Sequence, residues 1–186
     1  MPDLTGLLSD LQSPEAEPRA HAIERAAIAV ERMIHAVVAA IETAGPADKE
    51  IFEHIHRFGP TMVEPVEALL HRSTERGVRT LCGLLLLRLH SRAGLDTILA
   101  ELESGGRWSV PIIEQLVQSE LTFVAPRLVH RLKEVSLDQE EEIFALIEAL
   151  RHFRHPVPAD VIPRLQSPGA SEALRDRAVR IIQGQD

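Results

Sequence analysis

Residues 76–92 read RGVRTLCGLLLLRLHSR and contain the longest apolar run of the chain, residues 81–87. A helix over 79–89 would be apolar nearly all round, whereas a helix on the surface of a simple two-layer protein keeps one polar face. The pattern therefore predicts a helix covered on several sides, as at the centre of a curved helical array. In an alternative interpretation, Leu84 or Leu87 reaches the surface on the concave side and forms an apolar patch for a partner.

The segments on either side of this helix are helical in pattern as well. Apolar residues recur at i, i+3, i+4 and i+7, and no segment alternates as a β-strand does. Glycine and proline divide the chain into pieces of helical length, as at Gly45-Pro46 and Gly59-Pro60. The sequence thus predicts an all-α protein. Residues 16–43 carry no such break after Pro18, so they form either one helix of about 40 Å or two helices that meet without glycine or proline.

The helices alternate as a repeating pair. The last large apolar residues of the successive first helices lie 30, 29, 32, 30 and 33 residues apart, a mean period of about 31. About six pairs at this period predict an α-solenoid, a right-handed superhelix in which each pair buries its apolar face against the next. We expect it to form a single domain over residues 1–186. The six anchor residues are Leu11, Ile41, Leu70, Leu102, Leu132 and Leu165.

Three of the six units carry an arginine near the start of the second helix. Val78-Arg79-Thr80-Leu81-Cys82 is the clearest instance, followed by Pro18-Arg19-Ala20-His21-Ala22 and Leu174-Arg175-Asp176-Arg177-Ala178. These segments, together with the period, resemble the HEAT-like repeats of the armadillo-type superfamily, especially the short bacterial kind. The resemblance implies that Arg19, Arg79 and Arg175 are structural and bridge neighbouring repeats. It also implies a binding scaffold, although a fold does not by itself give a function.

Composition argues against several classes of function. The chain has 20 Lys and Arg residues against 28 Asp and Glu residues, a net charge of −8, so we expect it to bind neither nucleic acid nor an anionic membrane. The run at 81–87 is far shorter than the roughly 18 residues of a membrane span, and the first residues show no signal peptide. The lone Cys82 predicts a buried thiol in a reducing compartment. These features together predict a cytoplasmic protein and leave its oligomeric state open.

Motifs of the common enzyme classes are not found in the sequence. It has no glycine-rich phosphate loop, no Gly-x-Ser-x-Gly elbow and no His-Glu-x-x-His. His54 and His56 would diverge on a helix, and His152 and His155 have no evident third ligand, so no metal site is predicted. We therefore expect no enzymatic activity and no cofactor. The resemblance leaves one alternative, a HEAT-like lyase or chaperone that acts on a small prosthetic group such as a bilin.

Arginine and histidine close several second helices. Such cations complement the negative end of the helix dipole by about 0.3–1 kcal/mol each, or they form a functional basic ridge where repeats stack. Trp108, at a helix start, either anchors a partner or fixes that helix to its neighbour. The segment Glu140-Glu141-Glu142 is expected to form a first helical turn that is exposed to solvent. The predicted function is a non-catalytic adaptor whose concave second-helix face binds a protein or peptide that is acidic or amphipathic. The candidate partner-binding residues are His56, Arg57, Leu84, Leu87, Arg88, His90, Arg92, Trp108, Arg151, Arg154 and His155.

Overall fold

The computed structural model describes residues 4–42 and 59–182, and every regular element within these ranges is helical. The prediction of an all-α fold is thus confirmed for them, and none of their helices is long and apolar enough to cross a lipid bilayer. Short 3₁₀ turns lie at Gly59–Met62 and Thr122–Val124. The α-helices are α1 (Leu4–Leu11), α2 (Ala16–Glu42), α3 (Val63–Arg72), α4 (Arg76–Arg88), α5 (Leu95–Ser104), α6 (Ser109–Gln118), α7 (Ala125–Glu134), α8 (Glu140–His152), α9 (Ile162–Leu165) and α10 (Glu172–Ile182).

Helix α2 decides between the two alternatives for residues 16–43. It is a single helix of 27 residues, which corresponds to about 40 Å at 1.5 Å per residue. Pro18 lies in its first turn, where the missing amide hydrogen leaves no intrahelical bond unmade. One stripe of the helix is buried along its length and consists of Ala22, Ala26, Val30, Ile34, Val37 and Val38.

The contacts divide the chain into two compact units, residues 1–98 and 99–186, with the boundary inside α5. In the first unit, α1 packs on α2, and α2 packs on both α3 and α4, which also contact each other. In the second unit, α7 pairs with α8, α6 lies against α8, and α9 packs on α10. The predicted anchors Leu70, Leu102, Leu132 and Leu165 are buried in α3, α5, α7 and α9 respectively.

Helix α4, which contains the long apolar run, is almost completely buried. Ten of its 13 residues are buried, and Leu84 and Leu87 are only 3% and 4% exposed. The alternative in which these two leucines form a surface patch is therefore wrong, because a helix without a polar face is covered on all sides. A Cβ placed on Gly83 would lie 2.5 Å from Cγ2 of Ile98 and 3.0 Å from the carbonyl oxygen of Gly94. The glycine thus allows the turn before α5 to lie directly on α4.

Three second helices end in the same hydrogen-bonded turn. After α4, the amide of His90 donates to the carbonyl of Leu87 (2.9 Å) and the amide of Ser91 to that of Leu86 (2.8 Å), which is the Schellman pattern. Helices α6 and α8 end with equivalent pairs of bonds. The residue in the left-handed conformation is not glycine in any of the three, and the positions are His90 (φ 62°), Glu120 (φ 52°) and Arg154 (φ 54°).

A buried ion pair connects α7 and α8. The Nε and Nη2 atoms of Arg131 donate to the two carboxylate oxygens of Glu142 at 2.6 and 3.0 Å, and both residues are buried. The hydrogen bond to Glu142 and its charge raise the pKa of Arg131 above its ordinary value, although burial opposes them. Gly105, at the end of α5, lies against this guanidinium, since a Cβ there would be 2.8 Å from Cζ of Arg131. Three helices of the second unit thus meet at one buried charge.

Two of the arginines implied by the family resemblance do not bridge repeats. Arg19 donates to the carbonyl of Ser13 in the preceding turn (3.0 Å), and Arg175 donates to the carbonyl of Ser171 one turn earlier (3.3 Å). The side chain of Arg79 is exposed. The implied bridging role is therefore wrong for Arg19 and Arg175, because their hydrogen bonds are local, and it stays a prediction for Arg79.

A different arginine spans the distance of one period. Arg164 in α9 donates from Nη1 to the carbonyls of Leu132 (3.0 Å) and Lys133 (2.6 Å) at the end of α7. Arg164 and Arg131 each directly precede an anchor leucine. The guanidinium of Arg131 lies at the C-terminal end of α5, and that of Arg164 lies at the C-terminal end of α7. There a guanidinium satisfies or neutralises carbonyl groups that have no partner within the helix.

We expect the left-handed caps to be sites of stored strain. Replacing His90 or Arg154 by glycine should raise the free energy of unfolding by about 0.5–1 kcal/mol, because glycine adopts this conformation without a Cβ clash. Chemical denaturation measures the change. Arg88→Gly, which places glycine inside the last turn of α4, is the matched control and should lower stability by about 1 kcal/mol. Destabilisation by Arg154→Gly would contradict the interpretation.

The buried ion pair gives a second expectation. Arg131→Met should lower the free energy of unfolding by about 3–5 kcal/mol, because it leaves Glu142 buried and without its cation. The double variant Arg131→Met/Glu142→Met should recover most of that loss, since neither charge is then buried alone. Calorimetry of the wild type and the two variants tests both statements. A single variant as stable as the wild type would show that the pair does not hold α7 and α8 together.

Candidate functional site

A groove of about 440 Å³ runs between α6 and α8, which the sequence predicts to be the second helices of two successive pairs. Ala145 and Ala149 lie four residues apart on α8, and their short side chains leave space beside Ile113 and Val117 of α6. The floor of this α6–α8 groove is therefore apolar. Its lining residues are Ile113, Glu114, Val117, Ala145, Glu148, Ala149, Arg151 and His152.

Charged side chains are concentrated at one end of the groove. Arg151 and His152 form the last turn of α8, and Arg151 donates to Glu148 at 2.8 Å. Glu148 also pairs with Arg177 of α10. Burial alone would raise the pKa of Glu148, but the hydrogen bond and charge of Arg177, together with Arg151, lower it below its usual value. The carboxylate is thus held in its charged form between two guanidinium groups.

The polar groups in the lining of the groove are carboxylates, a guanidinium and an imidazole, from Glu114, Glu148, Arg151 and His152. Within residues 4–42 and 59–182, no group of three or more His, Cys, Asp or Glu side chains could hold a metal ion. Cys82 is buried in α4, where burial raises the pKa of its thiol to about 12, so the prediction of a buried thiol is confirmed. An apolar floor with a charged end can bind an amphipathic segment of another chain.

The predicted basic residues of the second unit lie at this end of the groove. Arg151 lines it, and Arg154 and His155 form the capping turn that follows α8. Nδ1 of His155 lies 3.1 Å from the carbonyl oxygen of Pro156. Trp108 is buried directly before α6, as expected of a residue that fixes a helix start, and with 6% of its surface exposed it offers little to a partner.

The predicted residues of the first unit form a separate group. Arg88 is half-buried in the last turn of α4, whereas His90 and Arg92 are exposed in the turn that follows. The apolar members of the predicted patch are buried, as described above, so the surface of that helix end is formed by basic residues. His56 and Arg57 lie outside the described residues.

The prediction that the three glutamates at the start of α8 form a solvated turn is wrong for one of them. Glu142 is buried against Arg131, while Glu141 is exposed and Glu140 is half-buried. The α6–α8 groove was not predicted from the sequence either. The available signal was the spacing of Ala145 and Ala149, since two small residues on one helical face leave room beside a neighbouring helix.

Comparison with protein-family models, with curated proteins and with solved structures gives no match for this chain.

The ion pairs of Glu148 predict a dependence of stability on pH. Because the pKa of this carboxyl is lower in the folded than in the unfolded chain, its contribution is complete above the unfolded pKa of about 4.3. That contribution is lost as the pH falls through the folded pKa. The difference in melting temperature between wild type and Glu148→Gln should therefore shrink between about pH 6 and about pH 3. The same difference at both pH values would show that Arg177 and Arg151 do not act on this carboxylate.

Proposed function

We propose that this chain is a non-catalytic protein-interaction scaffold, an α-solenoid of HEAT-like helical pairs that binds a protein or peptide on the face of its second helices. The observation that carries the proposal is the α6–α8 groove. It lies between two second helices, has an apolar floor and ends in the basic turn that contains Arg151, Arg154 and His155.

The solenoid arrangement is supported by contacts between residues about one period apart. The carbonyls of Leu132 and Lys133 are bound by Arg164, 31 or 32 residues further on. Glu148 is bound by Arg177, 29 residues further on. In both cases the partners lie on equivalent helices of successive pairs, as expected where each repeat contacts only its neighbours. The three identical helix ends after α4, α6 and α8 support the same arrangement.

The chemistry of the groove favours an amphipathic peptide with an acidic end. Apolar side chains of the peptide would cover Val117 and Ala145, which are only half-buried, and this burial would supply most of the affinity. An acidic residue at one end would meet Arg151 and Arg154, which are exposed. Charges at the rim of an interface chiefly set orientation and association rate.

The experiment is a selection from a library of short random peptides for binding to the wild-type chain, with counter-selection on Ala145→Arg. The arginine would fill the groove where α8 now carries a methyl group. We expect the selected peptides to be amphipathic and to bind Ala145→Arg at least about tenfold more weakly, a loss of about 1.4 kcal/mol. Ala173→Arg, at an exposed position of α10, is the matched control and should bind as the wild type does.

A second measurement tests the basic end. The double variant Arg151→Glu/Arg154→Glu should weaken the binding of peptides with an acidic end, because their acidic residues meet the reversed charges. It should leave the binding of peptides without an acidic end unchanged. A selection that yields no peptide sensitive to Ala145→Arg would contradict the proposed binding face.

A further inference from the structure

A second groove, of about 730 Å³, lies in the first unit between α2 and α3. One wall is a stripe of α2 that contains Ile23, Ala27 and Ile28, and the other is the face of α3 that contains Val63 and Val66. The stripe extends over residues 20–31, or about 17 Å at 1.5 Å per residue. The α2–α3 groove thus has the length of a helix of about three turns.

An exposed aliphatic side chain marks this groove. Ile28 is 48% exposed, and among the residues whose side-chain burial is described, the other exposed large apolar side chains are Phe123 and Val179. Its neighbours Ile23 and Ala27 are half-buried. This region of α2 therefore presents apolar surface that contact with another molecule would remove from water.

The rim of the groove is acidic. Four carboxylates line it, from Glu24 and Glu31 on α2 and from Glu64 and Glu67 on α3. Among the lining residues that the structure describes, Arg72 is the one cation, and it pairs with Glu31. The groove therefore carries an excess of negative charge around an apolar floor, the reverse of the basic helix end in the second unit.

We propose that the α2–α3 groove is a docking site for a basic amphipathic helix of another protein. Aliphatic side chains at i, i+3, i+4 and i+7 would contact Ile28 and the apolar walls, as in other helix-in-groove complexes. Lysine or arginine on the flanks of that helix would meet Glu24, Glu64 and Glu67. This site is separate from the α6–α8 groove, and either site can be present without the other.

A second copy of the chain is a poorer occupant. In a two-fold contact the same patch meets itself, so Glu24, Glu64 and Glu67 would face the same carboxylates of the other copy. Like charges at such a contact are unfavourable. A basic helix instead brings the opposite charge to every part of the rim.

The probe is a synthetic peptide of about 14 residues with leucines at i, i+3, i+4 and i+7 and lysines elsewhere. Fluorescence anisotropy measures its binding to the full chain at about 0.15 M salt, where exposed charges are substantially screened. A peptide with the same leucines and glutamate in place of lysine, and a scrambled lysine–leucine peptide, serve as controls. We expect the first peptide to bind at least about tenfold more tightly than either control.

Two pairs of variants assign the binding to the groove. Peptide binding should become about tenfold weaker in the triple variant Glu24→Gln/Glu64→Gln/Glu67→Gln. The control variant, Asp96→Asn/Glu141→Gln/Glu172→Gln, removes the same charge at exposed positions outside the groove. It should change peptide binding less than about twofold. Ile28→Ala should weaken binding about threefold or more. Val179→Ala, at a similarly exposed position of α10, should leave it unchanged.

Three results would overturn the proposal. Equal loss in both charge variants would show only general attraction to an acidic protein. Wild-type affinity in Ile28→Ala would show that the apolar floor is not used. A dimer in sedimentation experiments that Ile28→Asp dissociates would make a second copy the occupant. None of these results bears on the α6–α8 groove, which is tested with different residues.

Discussion

The guanidinium of Arg131 is buried where the ends of α5 and α7 meet the start of α8, and a buried charge is tolerated only when it is matched. Several neighbouring residues follow from that requirement. Glu142 must lie in the first turn of α8 to bind both nitrogens, and position 105 must be glycine, because a side chain would overlap the guanidinium. The ion pair therefore holds the first turn of α8 in place. The other end of α8 forms one wall of the α6–α8 groove.

Local features of the fold could be predicted from the sequence, and features that depend on distant partners could not. Periodic apolar residues and breaks at glycine or proline predicted the helices, because both act within a few residues. The burial of Glu142 was missed, since a first-turn glutamate has the same local pattern whether or not an arginine 11 residues earlier lies against it. The bridging arginines were misassigned for a similar reason. Arg164 acts through carbonyls about one period away, and no local motif marks it.

The candidate sites show the same division. The basic C-terminal ends of α4 and α8 could be predicted from the sequence, because cations at helix ends are a local pattern. The two grooves could not, since each depends on how far apart two helices lie. Leu84 and Ile28 illustrate the difficulty. Both belong to apolar stripes of helical spacing, yet Leu84 is covered by neighbouring helices and Ile28 is half open to solvent. Only the packing of neighbouring helices decides which of two such residues is exposed.

Helix α2 sets the first unit apart from an ideal array of repeats. In such an array each repeat contacts only the next, so unfolding can begin at one end and spread stepwise. Here one unbroken helix contacts α1, α3 and α4, and it extends over the residues that two helices of adjacent pairs would otherwise occupy. Fraying of its central turns would remove packing partners from all three at once. We therefore expect the first unit to unfold in a single cooperative step. The second unit, with helices of at most 13 residues, should be able to lose its last helices while the rest stays folded.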